Sequence, residues 1–261
     1  MAAVTVITGA SSGIGAALAH EAARAGRKLV LVARSAEGLA KVADAIAAKG
    51  CAKPETIALD LAEAGAADRL AGELEKRGFS VFELVNNAGY GLVGSLAAHS
   101  RADQLGIVDL NVRALTDLTL RFLPEIAAAK GGILNVASTA AFQPGPYAAI
   151  YYASKSYVLS FSEALAYELR RRVRVTALCP GPVPTNFQRR ASPGGDVRLF
   201  SQLPGMSAEE CAAIGWRGFT AGQRVVVPGV MNKLIAFFAP FMPRKPVLAV
   251  SAYLSANRRA K

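Results

Sequence analysis

A tyrosine and a lysine, Tyr151 and Lys155, are spaced so that they could carry out acid–base chemistry together. They lie four residues apart in a segment predicted to be helical, and residues at this spacing share one face of a helix. A free phenol has a pKa of about 10, which is too high for proton transfer near neutrality. Because an adjacent ammonium stabilises the phenolate, Lys155 is expected to lower the pKa of Tyr151. The pair therefore predicts a general acid/base, Tyr151, with its activator, Lys155.

Two other polar side chains, Ser138 and Asn111, could assist this pair. Ser138 closes a predicted strand, where its hydroxyl can hydrogen-bond a substrate carbonyl or alcohol oxygen. Asn111 lies inside a predicted helix over residues 101–129 and could hold a water molecule or a backbone group that positions Lys155. Taken singly, these features also fit a pair on a helix surface, a hydroxyl at a strand end and a local helix kink.

A glycine-rich turn, TGASSGIG, occupies residues 8–15 between a β-branched run and an Ala-rich helical stretch. Glycines permit a tight turn and let a phosphate approach the backbone. The next helix offers free N–H groups and the positive end of its dipole. The residues of this turn predicted to bind a dinucleotide are Gly9, Gly13, Ile14 and Gly15 at the pyrophosphate, and Ser11 and Ser12, whose hydroxyls could donate to a 2′-phosphate.

The second predicted strand ends in Arg34 rather than in an acidic residue. In NAD sites an acid at this position accepts hydrogen bonds from the adenosine ribose. A guanidinium can instead bind a 2′-phosphate through two hydrogen bonds. The sequence therefore favours NADP(H) over NAD(H), although solvated arginines are also common at strand ends. The positive ring of an oxidised nicotinamide would assist Lys155 in stabilising the Tyr151 phenolate.

Other turn-forming residues follow three further predicted strands, at residues 60–61, 86–89 and 180–185. Any one of these segments could be ordinary turn chemistry, because Asn, Asp, Gly and Pro all favour turns. Their placement at successive strand ends is harder to explain in that way. Ligands of open parallel sheets bind at the carboxyl ends of strands, so we expect the three segments to border one site.

Strands alternate with helices along most of the chain. This alternation predicts an α/β protein, a three-layer Rossmann fold with a doubly wound, mainly parallel sheet of about seven strands and helices on both faces. One helix is predicted over residues 151–172. Residues 1–261 are interpreted as one domain, with a substrate loop or lid at 186–224 and a C-terminal extension at 228–261. A capping-box pattern at residues 207–210 predicts a helix within that loop.

The amino-acid composition argues against several classes of protein. The chain is 52% hydrophobic, which is enough for a substantial core and too much for a disordered protein. Three widely spaced cysteines and two histidines argue against a disulfide framework and against a metal site. No basic residue precedes Arg24, so the sequence shows no signal peptide, and we expect a cytoplasmic protein.

The net charge of +11 is concentrated in the last third of the chain. Residues 1–169 carry 15 basic and 16 acidic side chains, whereas residues 170–261 carry 15 basic and 3 acidic ones. This distribution predicts an anionic or carrier-linked substrate, or an acidic lipid surface, as the binding partner, rather than nucleic acid.

An apolar segment at residues 234–241 is flanked by Lys233, Arg244 and Lys245. It predicts either an interfacial helix or a segment that forms an oligomer interface or a lid over the cleft. The substrate itself could be apolar or anionic.

The chain resembles the compact, single-domain branch of the short-chain dehydrogenase/reductase family. The matching pieces lie within about residues 4–185 and are TGASSGIG at 8–15, Asp60, NNAG at 86–89, Asn111, Ser138, YYASK at 151–155 and PGPVPT at 180–185. The resemblance implies hydride transfer between a nicotinamide and a carbonyl or alcohol carbon. In that chemistry Tyr151 exchanges the proton, Ser138 orients the substrate oxygen, and Asn111 and Lys155 complete a proton relay.

The same resemblance implies cofactor contacts and an assembly. Tyr151 and Lys155 would also contact the cofactor, with Lys155 on the nicotinamide ribose. The remaining contacts would be Asp60 and Leu61 at the adenine, Asn87, Ala88 and Gly89 at the adenosine ribose, and Pro180, Gly181, Val183 and Thr185 at the nicotinamide. Family members are commonly homodimers or homotetramers, and the resemblance implies the same for this chain. The long C-terminal extension, however, departs from the family pattern. Direct transfer of their geometry to this chain is therefore not expected.

The motifs and the charge distribution suggest three functions. The leading one is an NADP(H)-dependent carbonyl reductase or alcohol dehydrogenase. The second is a non-catalytic NADPH-sensing or scaffold protein on the same fold, against which the set of Asn111, Ser138, Tyr151 and Lys155 argues. The third, a nucleic-acid-binding module, is suggested by charge alone and has no basic helix or interleaved aromatic residues to support it.

Overall fold

The structure, a computed structural model, describes residues 1–170, 172–184, 191 and 205–255. A seven-stranded sheet runs through the described part of the chain, and every pairing within it is parallel. The strands are β1 Ala2–Thr8, β2 Leu29–Ala33, β3 Glu55–Ala58, β4 Phe79–Asn86, β5 Gly132–Val136, β6 Arg174–Leu178 and β7 Val225–Val226. The predicted fold class is thereby confirmed.

Nine α-helices connect or follow these strands among the described residues. They are α1 Gly13–Arg24, α2 Ala36–Ala47, α3 Ala66–Lys76, α4 Arg101–Val108, α5 Leu115–Ala128, α6 Ala149–Glu168, α7 Ala208–Thr220, α8 Val230–Phe238 and α9 Arg244–Ser255. The hydroxyl of Ser207 accepts a hydrogen bond from the Glu210 N–H, 3.0 Å away, and so caps α7. The helix predicted from the capping-box pattern is therefore present.

The strand order is β3-β2-β1-β4-β5-β6-β7, so the order reverses between β1 and β4. Because crossovers in parallel sheets are right-handed, a reversal places successive helices on opposite faces and opens a crevice at the carboxyl ends of the two strands. The glycine-rich turn after β1 and the NNAG segment after β4 both lie at this crevice. The topology therefore brings together two of the predicted site segments.

The core consists of two apolar layers, one on each face of the sheet. Helices α3, α5 and α6 cover one face, with Leu70, Phe122 and Leu165 among the buried side chains. Helices α1, α2 and α7 cover the other, where Leu18 and Phe219 are buried. Since a parallel sheet is covered on both faces, its strands are largely apolar, which explains the short Val-, Ile- and Leu-rich runs of the sequence.

Two helices differ from their predicted extents. The helix predicted over residues 101–129 is interrupted by a π-helical turn, Asp109–Ala114, that contains Asn111. The helix predicted over residues 151–172 instead spans Ala149–Glu168, because the backbone N–H groups of Arg172 and Val173 turn back to the carbonyl of Leu169 before β6 begins. This earlier start places Tyr151 in the first turn of α6.

A buried carboxylate, Glu83 on β4, stabilises the end of the sheet opposite the crevice. It accepts two hydrogen bonds from Arg27, at 3.0 and 3.1 Å, and one each from Arg174 at 3.2 Å and Thr5 at 2.7 Å. Removing the charge would leave two arginines beside a buried neutral amide. Glu83→Gln is therefore expected to lower the free energy of unfolding by roughly 3 kcal/mol.

Urea unfolding of Glu83→Gln measures this loss, and Glu63→Gln serves as its control. Glu63 pairs with Arg69 at 2.6 Å, but both side chains are exposed. An exposed pair contributes about 1 kcal/mol at most. Equal losses for the two variants would show that the Glu83 network contributes no more than a surface ion pair.

Candidate active site

A cavity of about 540 Å³ lies along the carboxyl ends of the strands. It is lined by residues that follow β1, β2, β3, β4, β5 and β6, as the strand-end argument predicts. The predicted site residues that line it are Gly9, Ser11, Ser12, Gly13, Ile14, Gly15, Arg34, Asp60, Leu61, Asn87, Ala88, Gly89, Ser138, Tyr151, Lys155, Pro180, Gly181 and Val183. Thr185 lies outside the described residues, and Asn111 lies beside the cavity rather than on its wall.

The glycine-rich turn is hydrogen-bonded to the segment that follows β4. Asn87 donates from Nδ2 to the carbonyl oxygens of Thr8 and Gly9, at 2.9 and 3.2 Å. The Thr8 hydroxyl accepts from the backbone N–H groups of Asn87 and Ala88, both at 3.0 Å. A Cβ on Gly15 would lie 2.4 Å from both Asn87 Nδ2 and the Gly9 carbonyl oxygen, so only glycine allows this packing.

The N-terminus of α1 points its backbone N–H groups toward the cavity. Within the described residues no side chain caps this end, although Ser12 occupies the N-cap position in extended backbone. Gly13 follows at a φ of +58°, a conformation that favours glycine. An anion bound here would meet uncapped N–H groups and the positive end of the helix dipole.

Arg34 and Asp60 lie together at the same end of the cavity. Their side chains are 3.7 Å apart, from Arg34 Nη1 to Asp60 Oδ2, and the Arg34 side chain is 61% exposed. An ion pair this open to water contributes little to stability. The guanidinium can therefore exchange its partner for a bound anion at small cost.

Ser138, Tyr151 and Lys155 lie together at the other end. The Tyr151 hydroxyl is hydrogen-bonded to the Ser138 side chain. Ser138 accepts in turn from the Ala140 N–H at 3.1 Å, which fixes its hydroxyl at the end of β5. Lys155 donates from Nζ to the carbonyl oxygen of Val136 at 2.7 Å, and its Nζ lies 5.9 Å from the centre of the Tyr151 ring.

Burial dominates the ionisation of both titratable groups. It raises the pKa of Tyr151 to about 12, with the Ser138 hydrogen bond acting in the opposite direction. Burial also lowers the pKa of Lys155 to about 8. In the protein alone, the pKa of Tyr151 therefore moves away from neutrality, opposite to the direction expected from the sequence. The reason is that burial deprives the phenolate of hydration, and this outweighs the stabilising hydrogen bond from Ser138.

Asn111 is hydrogen-bonded to the backbone of Tyr90. Its side chain accepts from the Tyr90 N–H at 3.1 Å and donates to the Tyr90 carbonyl at 2.9 Å. It also donates to the Ser154 hydroxyl at 3.0 Å, and that hydroxyl donates to the Tyr151 carbonyl at 2.7 Å. The π-helical turn thus connects the segment after β4 to the first turn of α6.

Several cavity residues were not identified from the sequence. Asn232 and Ile235 on α8 and Leu254 and Ser255 on α9 line the same cavity as Tyr151. Ser255 also forms a side-chain hydrogen bond with Tyr152 on α6. The only sequence signal was the prediction of a segment over the cleft at residues 234–241. Nothing in the local pattern indicated that α9 would reach the Tyr151 end of the cavity.

None of the helices in the described part of the chain is long and apolar enough to cross a membrane. The uncharged stretch at residues 131–154 contains β5 and the beginning of α6.

The chain is similar in sequence and in structure to known dehydrogenases and reductases. The chain is 36% identical over 214 residues to a sulfoacetaldehyde reductase of Chromohalobacter salexigens, covering 79% of this chain and 83% of that protein. Its structure is similar to a short-chain dehydrogenase of Sphingobium yanoikuyae in complex with NADPH, with a TM-score of 0.78, 31% identity and coverage of 88% of both chains.

A second solved structure, a short-chain dehydrogenase/reductase of Burkholderia phymatum in complex with NAD, has a TM-score of 0.79 at 28% identity. That alignment covers 91% of this chain and 92% of the other. The family model described as short chain dehydrogenase matches residues 3–195. This match extends from β1 past the Tyr151–Lys155 pair, and with it the chain belongs to the short-chain dehydrogenase family.

Proposed function

We propose that this protein is an NADP(H)-dependent oxidoreductase that transfers a hydride between the nicotinamide and a carbonyl or alcohol carbon. The observation that carries the proposal is the placement of Ser138, Tyr151 and Lys155 at one end of a single cavity whose other end holds the glycine-rich turn and Arg34. One end offers proton transfer and the other offers anion binding. Membership of the short-chain dehydrogenase family agrees with this division.

The residues present fit a nicotinamide dinucleotide. The uncapped N-terminus of α1 suits a pyrophosphate, and the close packing at Gly15 leaves backbone rather than side chains facing it. The two similar solved structures hold NADPH and NAD, so the family resemblance alone does not choose between the cofactors. Arg34 supports NADP(H), because a guanidinium can pair with the 2′-phosphate that distinguishes it.

The nicotinamide supplies the hydride when it is bound in reduced form. Reduction of the carbonyl group would place negative charge on the substrate oxygen. Tyr151 donates its phenolic proton to that oxygen, Ser138 donates a hydrogen bond to it, and an alcohol results. The tyrosinate then recovers a proton from solvent. In the oxidative direction the same groups act in reverse, with Tyr151 accepting the proton.

Lys155 lowers the cost of forming the tyrosinate in this scheme. Its ammonium is fixed by the Val136 carbonyl and stands 5.9 Å from the phenol ring, so it is not displaced when charge develops. With the pKa of Tyr151 raised to about 12 by burial, activation near neutrality also needs a second positive charge. The oxidised nicotinamide ring is the group that would provide it.

The described cavity wall favours an apolar carbonyl compound over an anionic one. Among the described lining residues only Arg34, Asp60 and Lys155 are charged, and the first two lie at the adenosine end. The region around Tyr151 is lined instead by Val93, Tyr152, Ile235 and Leu254. Sulfoacetaldehyde, the substrate in the name of one relative, is anionic, whereas the described wall around Tyr151 is largely apolar.

Oxidation of NADPH with a panel of aldehydes and ketones tests the proposed function. The wild type should oxidise NADPH only when a carbonyl compound is present, with apolar ketones preferred to carboxylated or sulfonated aldehydes. NADPH binding without turnover on any compound would instead indicate a sensing or scaffold protein. Preference for the anionic compounds would contradict the substrate class while leaving the reaction intact.

Cofactor choice is tested by Arg34→Ala. Because one charge-assisted hydrogen bond contributes about 1.5–3 kcal/mol, the variant should weaken NADPH binding by roughly 10- to 100-fold. NADH lacks the 2′-phosphate, so its binding should change much less. Isothermal titration with both cofactors measures the two dissociation constants. The matched control is Arg69→Ala, which removes an exposed arginine with its own carboxylate partner away from the cavity. Equal losses for NADPH and NADH would reject the proposed role of Arg34.

A further inference from the structure

Helix α8 carries apolar side chains on both of its faces. Ile235 and Ala236 face inward together with the polar Asn232. Asn232 and Ile235 line the cavity. The outward side chains follow the helical repeat of three and four residues and are Val230, Met231, Leu234, Phe237, Phe238 and Phe241, the last just beyond the helix. The largest exposed fractions are 76% for Val230 and Phe241 and 64% for Phe237. Helices on protein surfaces ordinarily turn a polar face to water.

The aromatic residues of this face are in contact with one another. The Phe237 ring centre lies 5.1 Å from that of Phe238 and 5.7 Å from that of Phe241. Such a cluster forms one continuous apolar patch rather than scattered exposed side chains. We call this patch the α8 face; it comprises the six outward residues named above. Contiguous apolar patches on proteins mark surfaces that contact a partner or a membrane.

Helix α9 also exposes apolar side chains to water, and the residues that it buries are polar. Its buried residues are Ser251 and Ser255, whereas Val250 and Tyr253 are more than half exposed. Its inner side also lines the cavity, through Leu254 and Ser255. The two C-terminal helices therefore both close the cavity on one side and present apolar residues to water on the other.

Basic residues border the α8 face without acidic neighbours in the sequence. Lys233 lies on α8, and Arg244 and Lys245 begin α9; all three are exposed. Residues 211–261 contain eight Lys and Arg residues and no Asp or Glu. A second copy docked symmetrically on this face would bring these like charges together, and residues 211–261 offer no carboxylate to pair with them. An anionic lipid surface matches both the apolar patch and its basic border.

We propose that the α8 face docks on anionic membranes, with the phenylalanines among the acyl chains and Lys233, Arg244 and Lys245 at the headgroups. Docking would bring the cavity within about one helix diameter, roughly 10 Å, of the lipid. This inference goes beyond the proposed reaction and does not depend on it, because vesicle binding needs neither cofactor nor substrate.

Co-sedimentation with vesicles tests the proposal, using phosphatidylcholine alone and a mixture of phosphatidylcholine with phosphatidylglycerol. The full-length protein should bind the mixed vesicles, and binding should weaken as salt is added. Phe237→Ser combined with Phe241→Ser should lower the partition coefficient by on the order of tenfold or more. Lys233→Gln, Arg244→Gln and Lys245→Gln should each lower it by roughly fivefold on the mixed vesicles.

The matched control is Leu96→Ser combined with Leu120→Ser, which removes two exposed apolar residues far from α8 in the sequence. It should bind the mixed vesicles as the wild type does. No binding of the wild type, equal binding to neutral vesicles, or an equal loss in the control would each overturn the proposal. Sedimentation velocity without lipid provides a further check. If the two phenylalanine substitutions convert a dimer to a monomer, the α8 face is an interface between two copies and the proposal is overturned.

Discussion

Replacing Tyr151 by phenylalanine should lower kcat/KM for carbonyl reduction by on the order of 10³-fold. The substitution removes the hydroxyl that is hydrogen-bonded to Ser138 and would donate the proton, but it keeps the ring that packs beside Lys155. Hydride addition would then leave an alkoxide with no nearby acid. Since the hydroxyl is one of many contacts available to the cofactor, NADPH binding should change by less than about threefold.

Tyr152→Phe is the matched control for this prediction. Tyr152 is the next residue on α6 and lines the same cavity, but its hydroxyl is bonded to Ser255 rather than to Ser138. Its loss should shift KM for the carbonyl compound and leave kcat within a few-fold of the wild type. Steady-state kinetics of both variants, with cofactor affinity measured separately, give the comparison. Equal losses of kcat in the two variants would mean that Tyr151 is not the proton donor.

Gly15→Ala should abolish useful binding of NADPH, raising its dissociation constant at least about 100-fold, or roughly 2.7 kcal/mol. The added Cβ would lie 2.4 Å from the Gly9 carbonyl oxygen, and backbone at that distance must move. The same Cβ would displace Asn87 Nδ2 from its bonds to Thr8 and Gly9. Both the anion-binding turn and its attachment to β4 would therefore be disturbed. We also expect a loss of about 1–3 kcal/mol in the free energy of unfolding.

Gly72→Ala controls for the effect of alanine in a helix. Gly72 lies on α3, and a Cβ there would meet no atom within 4 Å. Because alanine favours helix over glycine, this variant should gain about 0.5–1 kcal/mol and bind NADPH normally. Fluorescence titration with NADPH and urea unfolding measure both quantities. Normal NADPH binding by Gly15→Ala would show that the glycine-rich turn does not hold the cofactor.

The sequence predicts much of the fold and the cofactor end of the site because both depend on local patterns. Short β-branched runs alternate with Ala-rich amphipathic segments, and glycines such as Gly13 stand at turns that need a positive φ. Strand ends meet at one edge in any parallel sheet. That rule was enough to place Asp60, Asn87 and Pro180 on one cavity without knowledge of side-chain contacts.

Features that depend on tertiary packing could not be predicted in the same way. In the π-helical turn, Asn111 donates hydrogen bonds to Tyr90 and Ser154, which are 21 and 43 residues away in the chain. The pKa of Tyr151 depends on how completely the ring is buried, which the spacing to Lys155 does not reveal. Likewise, α9 reaches Tyr152 through Ser255, a contact between distant segments with no local pattern.

Transfer of deuterium from NADPH that carries two deuterium atoms at C4 of the nicotinamide is the most direct test of the proposed hydride transfer. After incubation with a ketone that the wild type reduces, mass spectrometry and proton NMR of the alcohol locate the label. We expect one deuterium on the carbinol carbon, on one face, and the amount of labelled product at equal times should fall on the order of 10³-fold in Tyr151→Phe. Cofactor oxidation that leaves the carbinol carbon unlabelled, or equal labelling by Tyr151→Phe, would contradict it.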